Sequence, residues 1–337
     1  MTRKYPQVIC FGEALIDRLG DPGKNPEIDN SYEDFFGGAP ANVAFGLSKL
    51  GIKTAFIGKL GVDLIGKRFL KFFKDNQICV RGIQLDQSFA TRIVLVERDE
   101  KGERNFAGFV SENKDDVFAD EAINLPFIQK VWPEIANNAD WFICGTNSFS
   151  SQISKESINW CLKEAVNMNI KIALDVNWRA VFWDKNFSPE RGPSEKIIET
   201  IEPLFENASL IKFSREEAYW FFDNDDPKKI SDLFPKAPNV IITDASNPIK
   251  WIFNNQQGET FIKDDIKVID TTGAGDAFLA GLICKIIDYE SNKIKPLNYS
   301  EIVQFASACG AFVCRSKGAI DSQPSKDDLI NYFNFNR

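Results

Sequence analysis

The chain has 337 residues, 44% hydrophobic and 26% charged, an ordinary globular composition that excludes disordered, collagen-like and low-complexity chains. Its net charge of −8 argues against nucleic acid or an acidic membrane as partner, and no apolar run approaches the ~18 residues a membrane helix needs. Histidine is absent, which removes Ser-His-Asp and Cys-His catalysis and His-ligated metals, so a general base must be a carboxylate, lysine, tyrosine or thiolate.

Taken in chain order, a strand is expected at 7–13, followed by a helix-free stretch at 14–36 rich in glycine and proline. A helix at 40–50, a strand at 54–60 and a helix at 64–76 come next. The segment 90–111, ATRIVLVERDEKGERNFAGFVS, reads as a hairpin turning at Asp99–Gly102. Strands at 139–145, 170–176, 208–213 and 239–245 then alternate with helices at 152–168, 195–205, 214–222 and 227–234. Helices at 274–288, 299–314 and 326–333 complete the chain. Strand–helix alternation predicts an α/β chain, one domain over 1–337, with a mostly parallel sheet and helices on both faces. Its ligands belong outside the carboxyl ends of the strands. The two helix-free stretches are expected to pair as a small antiparallel sheet forming a lid, or else to be surface excursions.

The opening MTRKYPQVICFGEALID meets Glu13 and Asp17 too soon for a signal peptide. Seven cysteines without a CxxC pair fit buried, reduced thiols and a cytoplasmic protein, and argue against a structural zinc site. GVDLIGKR at 61–68 places Gly61, Gly66 and Lys67 like a P-loop, but Arg68 stands where Mg²⁺ needs a hydroxyl. A turn at Gly61 and a helix capped by Asp63 is the plainer reading. GAGDAF at 273–278 begins like a dinucleotide fingerprint but has Phe278 in place of the third glycine, which counts against an NAD-dependent dehydrogenase.

DTTGAGDAFLAG at 270–281 is more informative. Gly273, Ala274 and Gly275 would present backbone N–H groups at a helix N-terminus, an anion site by geometry and dipole. Asp276, in the same turn, could take a proton from a hydroxyl while the amides hold a phosphoryl group. A carboxylate that merely complements the helix dipole is the alternative. FFGGAPANVAFGLSKLG at 35–51 has paired glycines and a polar Asn42 in a small-residue helix, which permits close approach of a polar ligand or simply a tight turn.

GGAPAN and DTTGAGDAF together resemble the two signatures of the ribokinase-like (PfkB) carbohydrate kinases. Family-like blocks run in order along nearly the whole chain: GEALID, GGAPAN, GKLGVDLIGK, LDVNWR, KFSREEA, DTTGAGDAF and CRSKGAIDSQPS. Among members, fructokinases are the most similar. The resemblance implies a three-layer αβα sandwich with a small β lid, formed by about 14–36 and 90–111. It also implies ATP-dependent phosphorylation of a sugar with Mg²⁺ and K⁺. Asp276 would be the base and Gly273, Ala274 and Gly275 the anion hole. Asp17, Gly37, Gly38, Asn42, Asn177 and Arg179 would hold the sugar. Ser214, Thr243 and Ser307, with Gly273 and Gly275, would meet the nucleotide. Glu217 would organise Mg²⁺ through water, and Asp270, Thr272, Gly318 and Ser322 would offer oxygens to K⁺. A homodimer through the lid is expected. Two departures stand out: DASNPIKW at 244–251 lacks the family's glycine-rich turn, and no arginine follows Arg104 near 111. Fructose therefore ranks first as substrate, another neutral sugar second and a keto-deoxy sugar acid third. A nucleoside kinase and a catalytically silent regulatory paralogue remain as rivals.

Overall fold

The computed structural model describes residues 5–26, 28–98, 104–110, 117–261, 266–292 and 297–333. In chain order the strands are β1 (Val8–Phe11), β2 (Leu15–Gly20), β3 (Tyr32–Gly37), β4 (Thr54–Gly61), β5 (Cys79–Asp86), β6 (Ile93–Arg98), β7 (Arg104–Phe109), β8 (Trp141–Gly145), β9 (Lys171–Asp175), β10 (Leu210–Ser214), β11 (Asn239–Thr243), β12 (Ile249–Phe253) and β13 (Gln256–Thr260). The helices are α1 (Ala39–Lys49), α2 (Leu64–Asp75), α3 (Leu125–Ala136), α4 (Gln152–Asn167), α5 (Ala180–Trp183), α6 (Glu195–Phe205), α7 (Arg215–Phe222), α8 (Pro227–Ser231), α9 (Ala274–Ser291), α10 (Tyr299–Val313) and α11 (Lys326–Phe333).

Nine strands form one sheet in the order β13-β12-β11-β10-β9-β8-β1-β4-β5. All neighbours run parallel except the two pairs made by β12. Period-two alternation sends successive side chains to opposite faces. Val8 and Cys10 of β1 therefore join α1, α2, α9 and α10 on one face. Ile9 and Phe11 join α3, α4, α6 and α7 on the other. The layers are helix, sheet, helix, as the alternation predicts.

The two helix-free stretches do form a separate sheet, ordered β3-β2-β6-β7. It is mixed, where an antiparallel sheet was expected. β2–β3 and β6–β7 are antiparallel, but β2 and β6 run parallel. The reason is topological. Both stretches leave the carboxyl ends of strands that run the same way, β1 and β5, so their first strands share a direction. Ile16 N–H donates to Arg92 O at 3.0 Å where they meet. The expected turn at 99–102 lies outside the described residues. Asp63 caps α2 as read, its Oδ1 accepting from Gly66 N–H at 2.7 Å.

Small residues set the spacing of α9 against α1 and α10. A Cβ on Gly46 would stand 2.9 Å from Ala280 Cβ, and one on Gly281 would stand 2.6 Å from Cys309 Sγ. Bulkier residues would push these helices apart, and with them the two polar groups described next.

Candidate active site

α9 begins at Ala274 with Gly273 as its N-cap, at φ 79° and ψ 0°. That left-handed conformation is open to glycine, and a Cβ there would meet Ala319 Cβ at 2.5 Å. Asp276 follows in the first turn, where helix N–H groups lack intrahelical partners. The close packing of α1 brings Asn42 Nδ2 to 2.7 Å from Asp276 Oδ2, to which it donates. Asn42 Oδ1 is buried without a partner. An acceptor left in that state destabilises by about 1–3 kcal/mol unless a ligand supplies a donor. Burial, first, and the nearby Asp175 carboxylate raise the Asp276 pKa from 3.8 to about 6, against the opposing pull of Asn42, Lys212 and Arg179.

Asp276, Asn42, Lys212 and Arg179 share a cleft of about 550 Å³ at the carboxyl ends of the strands. Of the residues singled out by sequence, Asp17, Gly38, Asn42, Asn177, Arg179, Thr272, Gly273, Gly275 and Asp276 line it. Gly38 has φ 97°, and a Cβ there would stand 2.6 Å from Glu13 O. Asn177, at φ 38°, turns the chain out of β9. Arg179 is exposed and donates to Trp178 O at 2.8 Å. The small sheet contributes Leu15, Val94, Val96 and Phe106 to the same walls.

Other expected residues stand behind the cleft. Gly37 packs against the Asp17 carboxylate, which a Cβ would strike. Ala274 N–H donates to Thr271 O at 3.2 Å, so the turn already occupies one of the three amides expected to hold an anion. The other two, those of Gly273 and Gly275, flank it at the start of α9, and the Asp276 amide follows in the same turn. Ser214 and Glu217 form a capping box on α7. The Glu217 carboxylate also accepts from Trp178 N–H and Ser214 N–H, each at 2.7 Å. Burial is the main cause that raises its pKa. Thr243 Oγ1 donates to Phe213 O at 3.2 Å, and Ser307 is buried on α10. The Asp270 carboxylate accepts from Thr272 N–H and Oγ1–H and from Gly318 N–H, at 3.0, 2.8 and 2.8 Å. Ser322 Oγ donates to Gly318 O at 2.7 Å. All four residues expected to hold K⁺ are thus joined in one hydrogen-bonded group. In the glycine-free turn, Asp244 takes Arg215 and Asn247 as partners at 3.3 and 3.1 Å. Residues 111–116, where the family's arginine is missing, lie outside the described residues.

Sequence reasoning passed over four polar groups here. Asn147 Nδ2 donates to the buried Glu13 Oε1 at 3.1 Å, and Asn147 Oδ1, like that of Asn42, has no partner. Both residues line the cleft. Asp175 and Lys212 pair beneath it, Nζ lying 2.8 and 3.0 Å from the two carboxylate oxygens. Burial lowers the Lys212 pKa, but the Asp175, Glu217 and Asp276 carboxylates together outweigh it and the net shift is upward, so the side chain stays an ammonium. The signal was available: Lys212 interrupts a strand, LIKFS, whose other positions are apolar or end-capping. A larger groove of about 780 Å³ lies at the opposite end of the sheet, near Lys49 and Cys79. None of the unpartnered buried polar atoms found among the described residues belongs to its lining.

A family model described as pfkB family carbohydrate kinase matches residues 6–326. A chloroplastic protein of Arabidopsis thaliana named probable fructokinase-6 is 30% identical over 332 residues, covering 97% of this chain and 82% of the relative. The crystal structure of a fructokinase with bound ATP from Xylella fastidiosa superposes with a TM-score of 0.78 at 25% identity, covering 97% of this chain and 99% of that one. An uncharacterised sugar kinase from Pyrococcus horikoshii in complex with ATP gives 0.78 at 27% identity, covering 96% and 97%.

Proposed function

The chain belongs to the pfkB family of carbohydrate kinases, and from that premise we propose that it transfers the γ-phosphoryl group of ATP to fructose, yielding fructose 6-phosphate and ADP. The observation that carries this reading is the Asn42–Asp276 pair. It joins a carboxylate with a pKa of about 6 to a buried, unpartnered acceptor at a glycine-rich helix start. Asp276 would take the hydroxyl proton as the sugar oxygen attacks. Asn42 Oδ1 and Asn147 Oδ1 would accept from other sugar hydroxyls, and Asp17 and Gly38 would close the sugar's side of the cleft. The N-terminus of α9 would hold the transferring group through Gly273, Gly275 and Asp276.

The donor set fits this nucleotide: bare glycine amides for its phosphates, with Ser214, Thr243 and Ser307 on the elements leading to it. ATP, when bound, supplies the electrophilic phosphorus and the leaving group. Among the described residues no group of three or more cysteines and carboxylates is arranged to hold a metal. Mg²⁺, which keeps several of its waters, would ride on the phosphates and meet Glu217 through water. K⁺ would sit among Asp270, Thr272, Gly318 and Ser322, where equal activity in K⁺-free buffer of the same ionic strength would remove it. The small sheet would act as a lid and as the face of a homodimer. The seven cysteines are free thiols, five of them buried, in keeping with a reducing cytoplasm. No described helix is long and apolar enough to cross a membrane.

Of the lower-ranked substrates, a keto-deoxy sugar acid is the one that a specific observation favours, the exposed Arg179 at the cleft wall. ADP release measured over a panel of sugars separates them. Fructose should give the highest kcat/KM. A sugar acid or nucleoside ten times better would overturn the fructose assignment and leave the kinase chemistry standing.

A further inference from the structure

The buried pair Asp175–Lys212 plays no part in the reading above, yet its position is informative. The two residues are direct partners across β9 and β10, and their side chains are 6% and 8% exposed. A buried ion pair is a poor way to gain stability, since apolar residues of similar volume do as well or better. Its address is more telling. Nζ stands 3.2 Å from where a Cβ on Gly275 would lie, which puts the ammonium against the first turn of α9. Lys212 lines the same cleft as Gly275 and Asp276. Asp175 accepts two of the three N–H groups an ammonium carries. Arg179, the other cation on the cleft, is exposed at its rim and donates to its own backbone neighbour.

We propose that Lys212 is a catalytic residue that touches the transferring phosphoryl group through its remaining N–H, with Asp175 fixing the ammonium against the Gly275 turn. This rests on the kinase reading. Lys212 neither gives nor takes a proton. The hydroxyl proton goes to Asp276, the new bond joins the sugar oxygen to phosphorus, and the bond that breaks is the one to the departing ADP oxygen. The ammonium offsets negative charge that would otherwise face Asp276 and Asp175 directly.

The test uses Lys212→Met, Lys212→Arg and the double variant Asp175→Asn/Lys212→Met, which removes both charges so that no buried carboxylate is left alone. The folded methionine variants should lose about 100-fold or more in kcat, the scale of one lost transition-state donor, with the KM for sugar little changed. Calorimetry should show weaker binding of a non-hydrolysable ATP analogue by about tenfold and unaltered binding of ADP, a split that a purely structural role would not produce. Arginine should restore part of the rate. A folded double variant with kcat within about threefold of the wild type, binding the analogue as tightly, would overturn the proposal alone. Failure of the wild type to release ADP with any sugar would instead overturn the kinase reading and this proposal with it.

Discussion

Asp276→Asn should make the protein both nearly inactive and more stable. Asparagine keeps the shape and an oxygen to accept from Asn42 Nδ2, now 2.7 Å away, and loses the buried charge. The Asp276 pKa is raised from 3.8 to about 6, so the folded state holds its proton more tightly than the unfolded chain does. Stability is therefore lost as pH rises from about 4 to about 6, and the loss is constant above that. Two units at 1.36 kcal/mol each set it at about 3 kcal/mol. Urea unfolding at pH 8 should show the variant more stable by roughly that amount, and at pH 5 by about half of it. Turnover, measured as ADP release, should fall at least about 100-fold, because general-base catalysis contributes on that scale. A variant no more stable than wild type at pH 8 would refute the buried-charge argument. One retaining more than half the activity would refute the base assignment.

The same pKa places an acid limb in the wild-type profile: kcat/KM should fall about tenfold per unit below pH 6, and a profile flat to pH 5 would contradict it. Gly38→Ala forces a Cβ to 2.6 Å from Glu13 O at φ 97°. It should destabilise by about 1–3 kcal/mol and raise the KM for sugar, and an unchanged melting point and KM would show the turn to be slack. Arg92→Met leaves Asp120 and Glu121 without the guanidinium they hold at 2.9 and 2.6 Å. Removing one partner of a buried ion pair costs about 3–5 kcal/mol, so the urea midpoint should drop sharply, and an unmoved midpoint would deny Arg92 its anchoring of β6.

Parts of this architecture were legible in the sequence because the physics is local. Apolar runs such as VICF and IALD name buried parallel strands, and Asp63 and Gly273 mark helix starts at the residues where they occur. Other parts were hidden for equally physical reasons. α3 carries Pro126 and Pro133, which argue against a helix by propensity. The first sits in the opening turn, where no N–H is needed, and burial of Ile128, Trp132 and Ile135 holds the rest. The β12–β13 hairpin turns on Asn254 and Asn255, both at positive φ, a signal that is plain only once the pairing is seen. The parallel pairing of β2 with β6 joins segments far apart in sequence, which no local pattern reports. Asp276 and Asn42 were found through their motifs. Lys212, Asp175, Glu13 and Asn147 belong to the site through register and packing; Asp175, Glu13 and Asn147 looked like isolated polar residues at or just past strand ends, and Lys212 like a lone charge within one.

Phosphoryl transfer to fructose is the central claim, and product analysis tests it most directly. The wild-type protein, incubated with fructose, ATP, Mg²⁺ and K⁺, should form fructose 6-phosphate and ADP in equal amounts, resolved by phosphorus and carbon NMR. ADP accompanied by inorganic phosphate and unchanged sugar, or no ADP with any sugar offered, would contradict the account.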